Sequence, residues 1–150
     1  MKLEGKLFKD GRTWIVEVPA LELVTQGTSR SDAMVMIEDA VESLVNCEGF
    51  KASALPSDGA TFLLGANMLA PLLALVLRRQ RQAKELSFAD AAERLNQKSR
   101  NAFARYEQAA LSTKASGGVA VRAPSVEKFE ELLHAISPEC ELILAVRAPR

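Results

Sequence analysis

"DGRTWIVEVPALELVTQGTSRSDAMVMIEDAVESLV", Asp10 to Val45, changes its hydrophobic period part-way along, and that change decides the fold class. In its first third Trp14, Val16 and Val18 share one face and Thr13, Ile15 and Glu17 the other, the alternation of a half-buried strand that Pro19 then stops. A short strand is predicted over "LVTQG", ending at Gly27. From Ser29 onward Ala33, Met34, Ile37, Ala40, Val41, Leu44 and Val45 recur at helical spacing, with Glu38, Asp39, Glu42 and Asn46 opposite. Ser29 and Asp32 form an S-x-x-D start signal for this helix, and Gly49 suits its end. The methionines of this segment belong to the apolar stripe and read as core.

Working outward, "KLEGKLFKDGRTWIVEVP" reads as a hairpin turning at Asp10-Gly11. "FKASALP" and "ATFLLG" supply two further strands around the turn Ser57-Asp58-Gly59. The expected N-terminal half is a small antiparallel sheet with one helix packed on it. After Asn67 the pattern becomes helical. "PLLALVLRRQRQAKEL" opens with Pro71 in a first turn, where its missing N–H is harmless, and runs from an apolar half into a basic one. That basic half suits either phosphate contact or a solvated helix C-terminus. Ser87 and Asp90 make a capping box for "FADAAERL", and Asn96 after Leu95 tolerates the left-handed conformation at a helix end. Ser99 caps "RNAFARYEQAAL", with Phe103 and Tyr106 inward and Arg100, Asn101 and Arg105 outward. A small-residue loop, "STKASGGVAVRAP", leads to "SVEKFEELLHAI", which places Val126, Phe129, Leu132, Leu133 and Ile136 on one face, and "CELILAV" is expected to close the fold as a strand. The fold class is α+β, with a composition shift between about 60 and 70 predicting domains at 1–65 and 66–150.

The 150 residues are 48% hydrophobic, a composition that supports a packed core. Their net charge of zero conceals a polarity: residues 1–66 hold 6 Lys/Arg against 10 Asp/Glu, residues 67–123 hold 10 against 4, and residues 124–150 hold 3 against 5. An acidic module is joined to a basic one. Cys47 and Cys140 belong to no ligand cluster and read as free, buried or half-buried thiols, which suits a reducing cytoplasm. No secretion signal opens the chain. The apolar run from Phe62 to Leu77 is broken by Gly65, Asn67 and Pro71 and falls short of the ~20 residues of a membrane span. His134, the sole histidine, lies between leucine and alanine with no nucleophile at useful spacing, and Glu17 and Asp39 have plain surface readings. No catalytic residue, metal or cofactor is expected, and the chain does not read as an enzyme.

Three successive helices, the middle one carrying small Ala91 and Ala92 and the third capped and polar, satisfy what a helix-turn-helix requires. "AAERL", "ARYEQ" and "PSVEKFEELLHAI" resemble the phage-repressor-like (Xre-type) helix-turn-helix over roughly residues 68–137, with a turn, "NQK", one residue longer than usual and without glycine. Arg100 and Asn101 are the chemistry for guanine and adenine edges, Lys98 and Ser99 are placed for phosphate, and Arg105 stays near the groove or its phosphate wall. The stretch Asp10–Val45 in turn resembles the HicB antitoxin family at Pro19, Gln26, Gly27, Ser29, Asp32, Ala33 and Ala40, a pattern covering about residues 3–55. That resemblance implies a partial ribonuclease-H-like N-terminal fold that binds a HicA-type mRNA-cleaving toxin, at residues it does not specify, and a C-terminal module that represses the operon on double-stranded DNA. One helix-turn-helix covers a half-site, so a homodimer or higher oligomer is expected, with the final helix or closing strand at its interface. An orphan regulator using the first module for assembly or another ligand is the alternative.

Overall fold

Alternation puts Leu3, Gly5 and Leu7 on one side of the first strand and Glu4, Lys6 and Phe8 on the other. A computed structural model describes residues 1–111 and 122–143, and there this pattern is β1, Leu3–Asp10, paired antiparallel with β2, Thr13–Val18. Asp10 lies opposite Thr13, so the connection is Gly11-Arg12, one residue later than the Asp10-Gly11 turn expected. Gly11 takes φ +58° and Arg12 stays at negative φ, the two-residue hairpin pattern whose twist matches that of the strands. Pro19 ends β2 by opening a single 3₁₀ turn, Pro19–Leu21, which drops Leu21 into the core, and Glu22 at φ +46° returns the chain as β3, Leu23–Gly27.

Helix α1, Arg30–Val45, buries Ala33, Ile37, Val41 and Val45. The Ser29 hydroxyl accepts from the Asp32 N–H at 3.0 Å, while the Asp32 carboxylate accepts from the N–H and hydroxyl of Thr28 at 2.7 and 3.0 Å. The helix stops at Asn46, which takes φ +47°, and not at Gly49, which lies in the following turn. Gly27 lies where α1 begins to cross the sheet: a Cβ built there falls 2.3 Å from the Ala33 nitrogen, so the QG motif marks a backbone-to-backbone approach.

Strands β4, Ala52–Pro56, and β5, Thr61–Ala66, complete a five-stranded antiparallel sheet in the order β3-β2-β1-β5-β4. The class is α+β. Glu38 and Glu42, expected to be solvated opposite the apolar stripe, instead reach the edge strand β4. Their carboxylates accept the backbone N–H groups of Ala54 at 2.7 Å and Ala52 at 3.0 Å, and Glu42 also pairs with Lys51 at 2.8 Å. Capping these donors removes a template on which another strand could pair.

Hydrogen bonding holds both Asp32 and Glu42 below the usual carboxylate range, Asp32 chiefly through the Thr28 N–H and Glu42 chiefly through the Lys51 ammonium. A carboxylate whose folded pKa is lowered contributes stability above its unfolded pKa, about 4 for either residue, and loses it as pH falls through the folded value. The stability difference between wild type and Glu42→Gln should therefore be widest above about pH 5 and close at lower pH. Urea titrations across that range check it, and a pH-independent difference would refute it.

Helix α2, Leu69–Ala83, has Pro71 in its first turn and is buried from Ala70 through Leu77, as a helix surrounded by core must be. It packs on the Pro19–Leu21 turn and on two later helices, α4, Asn101–Leu111, and α5, Val126–Ile136; α3, Phe88–Arg94, lies against both of those. One apolar cluster runs from Leu3 in β1 to Ile136 in α5. Phe129, Leu132, Leu133 and Ile136 are buried as the spacing requires, but Val126, placed on the same face from sequence, is 47% exposed at the first helical position. Cys47 and Cys140 are half-buried free thiols. No strand forms over Cys140–Ile143; the rest of "CELILAV" and positions 112–121 of the small-residue loop lie outside the described residues. No described helix is long and apolar enough to cross a membrane.

Candidate nucleic-acid interface

The local sequence of α2, α3 and α4 fixes two tight joints. At the end of α2, Glu85 takes φ +54° while the N–H groups of Glu85 and Leu86 bond the carbonyls of Gln82 and Arg81. At the end of α3, Asn96 takes φ +56° and the N–H groups of Asn96 and Gln97 bond the carbonyls of Glu93 and Ala92. Both are six-residue helix stops with a left-handed residue, one of them formed by Asn as the sequence suggested. Between the joints, the Ser87 hydroxyl accepts from the Asp90 N–H at 3.1 Å and the Asp90 carboxylate from the Ser87 N–H at 2.8 Å, closing the expected capping box. Ala91 and Ala92 are fully covered in α3, which packs on α4 and α5, and their small side chains allow a close approach.

The connection to α4 runs from Leu95 to Arg100, and the helix itself begins at Asn101, one residue after the start assigned from sequence. The Ser99 hydroxyl accepts from the Asn101 N–H at 3.3 Å, and the Arg100 carbonyl accepts from Ala104 at 3.1 Å. Arg100 is therefore the boundary residue and not part of the first turn. Lys98, Ser99, Arg100, Asn101 and Arg105 are all exposed. Asn101, Arg105 and Gln108 share one outward face of α4, while Lys98, Ser99 and Arg100 precede it. Gln108 was missed, although the i, i+4, i+7 spacing from Asn101 points to it. The Arg105 guanidinium turns onto its neighbour, bonding the Tyr106 hydroxyl at 3.0 Å and lying 4.8 Å from the ring centroid. The Arg100 guanidinium lies 5.7 Å from the Phe88 ring centroid.

Most of the basic α2 end is committed inward, contrary to both readings of "RRQRQAK". Arg81 makes two 2.8 Å bonds to Glu107, which is 1% exposed, and Arg78 approaches the same carboxylate at 3.4 Å. Arg79 donates to the carbonyls of Leu21 and Glu22 at 2.9 and 2.7 Å. Buried Gln80 donates to the Ala20 carbonyl at 3.0 Å and accepts from the Ser137 hydroxyl at 2.9 Å. Lys84 pairs with Glu139. Among the described residues no carboxylate lies within ion-pair reach of Lys98, Arg100 or Arg105. Lys98 and Arg100 thus place unpaired positive charge just before α4, where the helix N–H dipoles add to it.

A second open surface lies on the sheet, whose helices occupy one side. Phe8 and Val24 are 44% and 62% exposed on the other side, in cross-strand rows with Ile15, Glu17 and Lys6.

Neither a comparison with protein-family models nor one with curated proteins gives a match.

Proposed function

We propose that the chain is a HicB-type antitoxin: a sheet module that neutralises a HicA-type mRNA-cleaving toxin, joined to an Xre-like helix-turn-helix that represses its operon. The observation that carries the DNA-binding half is the division among the cations. Arg78, Arg79 and Arg81 are bonded inside the protein, whereas Lys98, Arg100 and Arg105 surround an exposed helix start with Asn101 between them. Small, fully covered Ala91 and Ala92 in α3, which packs on α4, favour the docked pair such a motif uses. The toxin-binding half is supported by the residues of the HicB resemblance, among them Gly27 at its close approach to α1, and by the acidic balance of residues 1–66, which favours encounter with a basic, RNA-handling partner.

Replacing Arg100 or Asn101 with Ala is expected to cost about 1–3 kcal/mol on the operator and much less on scrambled duplex. Lys98→Ala should weaken both duplexes alike and reduce the salt slope of binding by about one. Titrations of each variant on both duplexes at two salt concentrations test this, and equal losses on both duplexes for Arg100→Ala and Asn101→Ala would remove base reading. For the other half, co-expression of the full chain with the toxin should restore growth, and Asn101→Ala should retain that rescue while losing repression. Repression without rescue would leave an orphan regulator.

A further inference from the structure

The Arg100 guanidinium has no carboxylate partner among the described residues, and its backbone sits at the end of the Leu95–Arg100 connection, so neither an ion pair nor regular helix geometry sets its direction. What lies against it is Phe88, the first residue of α3, with the ring centroid 5.7 Å from the Arg100 Cζ. The ring is itself fixed from several sides. The Ser87–Asp90 capping box sets the backbone around it, the Phe103 ring of α4 meets it at 6.5 Å, and the Arg81 guanidinium lies 4.3 Å from its centroid. Arg81 in turn is held by Glu107 and by the Leu86 carbonyl at 2.7 Å. A chain of contacts therefore runs from buried Glu107 through Arg81 and Phe88 to an exposed arginine on the proposed reading surface.

We propose that Phe88 is a positioning residue for Arg100 in operator recognition, an inference that rests on the DNA-binding reading above. An arginine held over an aromatic face keeps its planar N–H edge free, and that edge pairs bidentately with guanine O6 and N7. Holding the side chain in the free protein lowers the rotamer entropy it loses on binding, so the ring adds affinity where a base is read and little where only phosphate is touched. Phe88 itself touches no DNA in this arrangement and acts through Arg100.

The test uses the full chain and a duplex selected by the wild-type protein from a random pool, with a scrambled duplex beside it. Pentafluorophenylalanine at position 88 keeps the ring's shape and reverses its quadrupole, and Phe88→Tyr keeps the attractive face. The fluorinated protein is expected to lose about three- to fivefold in affinity for the selected duplex, as an exposed cation–π contact warrants, with scrambled binding unchanged; any loss of stability through Arg81, which lies on the same ring, should be equal with and without Arg100. Phe88→Tyr should bind as wild type does, and in an Arg100→Ala background the fluorinated ring should change nothing further. Wild-type affinity of the fluorinated protein, or an equal loss in the Arg100→Ala background, would overturn the assignment. An arm without DNA separates this proposal from the reading it rests on. The Arg100 Nε–H resonance should carry a ring-current shift in the free protein that Phe88→Leu abolishes. If the wild type selects no duplex but this shift is present, the DNA-binding reading fails, and with it the role in operator recognition, while the hold of Phe88 on Arg100 stands; if the shift is absent, the positioning itself fails.

Discussion

Glu107→Ala should lower the unfolding free energy by about 3–5 kcal/mol, the cost of leaving the mostly covered Arg81 guanidinium without its carboxylate. Glu107 is 1% exposed and the Arg81 side chain 14%, so water does little to replace the lost partner, and Arg78 at 3.4 Å adds a second guanidinium to the same site. The carboxylate belongs to α4 and both arginines to α2, so the loss also loosens the seat of the helix that carries Asn101. Breaking the pair and deleting it are different experiments. Arg81→Met combined with Glu107→Leu exchanges two desolvated charges for apolar volume and should recover most of the stability. Urea denaturation of the three proteins decides it: a loss below about 1 kcal/mol for Glu107→Ala would assign the pair the small value of an exposed one.

Gly27→Ala is expected to be of similar severity, about 3 kcal/mol or outright failure to fold, for a purely steric reason. The added Cβ would lie 2.3 Å from the Ala33 nitrogen, 2.7 Å from its Cα and 2.9 Å from the Asp32 carbonyl carbon. All three are backbone atoms in the first turn of α1, so no side chain can swing aside, and relief requires lifting the helix from β3. Gly65 offers the control. It lies in β5 with ordinary φ, and the nearest atom to its Cβ is in the Lys2 side chain at 3.6 Å, so Gly65→Ala should melt close to wild type. Thermal denaturation followed by circular dichroism compares them, and equal melting temperatures for the two variants would refute the close-approach argument.

Elements defined by apolar period and by local capping chemistry were legible before any coordinates. Ser29 and Ser87 each accept a backbone N–H at a helix start, Asn96 takes the left-handed conformation, and Ala33, Ile37, Val41 and Val45 are the buried stripe of α1. These signals involve residues at most a few positions apart. The polar interior was not legible, because each of its contacts joins distant parts of the chain. Glu107 sits in a segment rich in Arg and Gln and reads as a solvated position, while its partner Arg81 is 26 residues away. Glu38 and Glu42 lie opposite an apolar stripe, where side chains normally face water, and only the path of β4 brings its free N–H groups to them. At the candidate interface the residue types were readable and their exposure agrees. The helix start was misplaced by one residue, because Ser99 supplies its cap from two positions before Asn101.

Arg79, Gln80 and Arg81 are adjacent in sequence, yet they reach three separate places: the carbonyls at Leu21 and Glu22, the Ser137 hydroxyl beyond α5, and Glu107 in α4. For recombination between related genes this makes the sheet and the C-terminal helices a poor pair to exchange. A crossover near residue 65 would deliver an α2 whose successive side chains were selected against a different turn, a different terminal segment and a different α4. A viable chimera must carry matching partners on both sides of α2 at once, so descent should change the surfaces at either end faster than the seam between them.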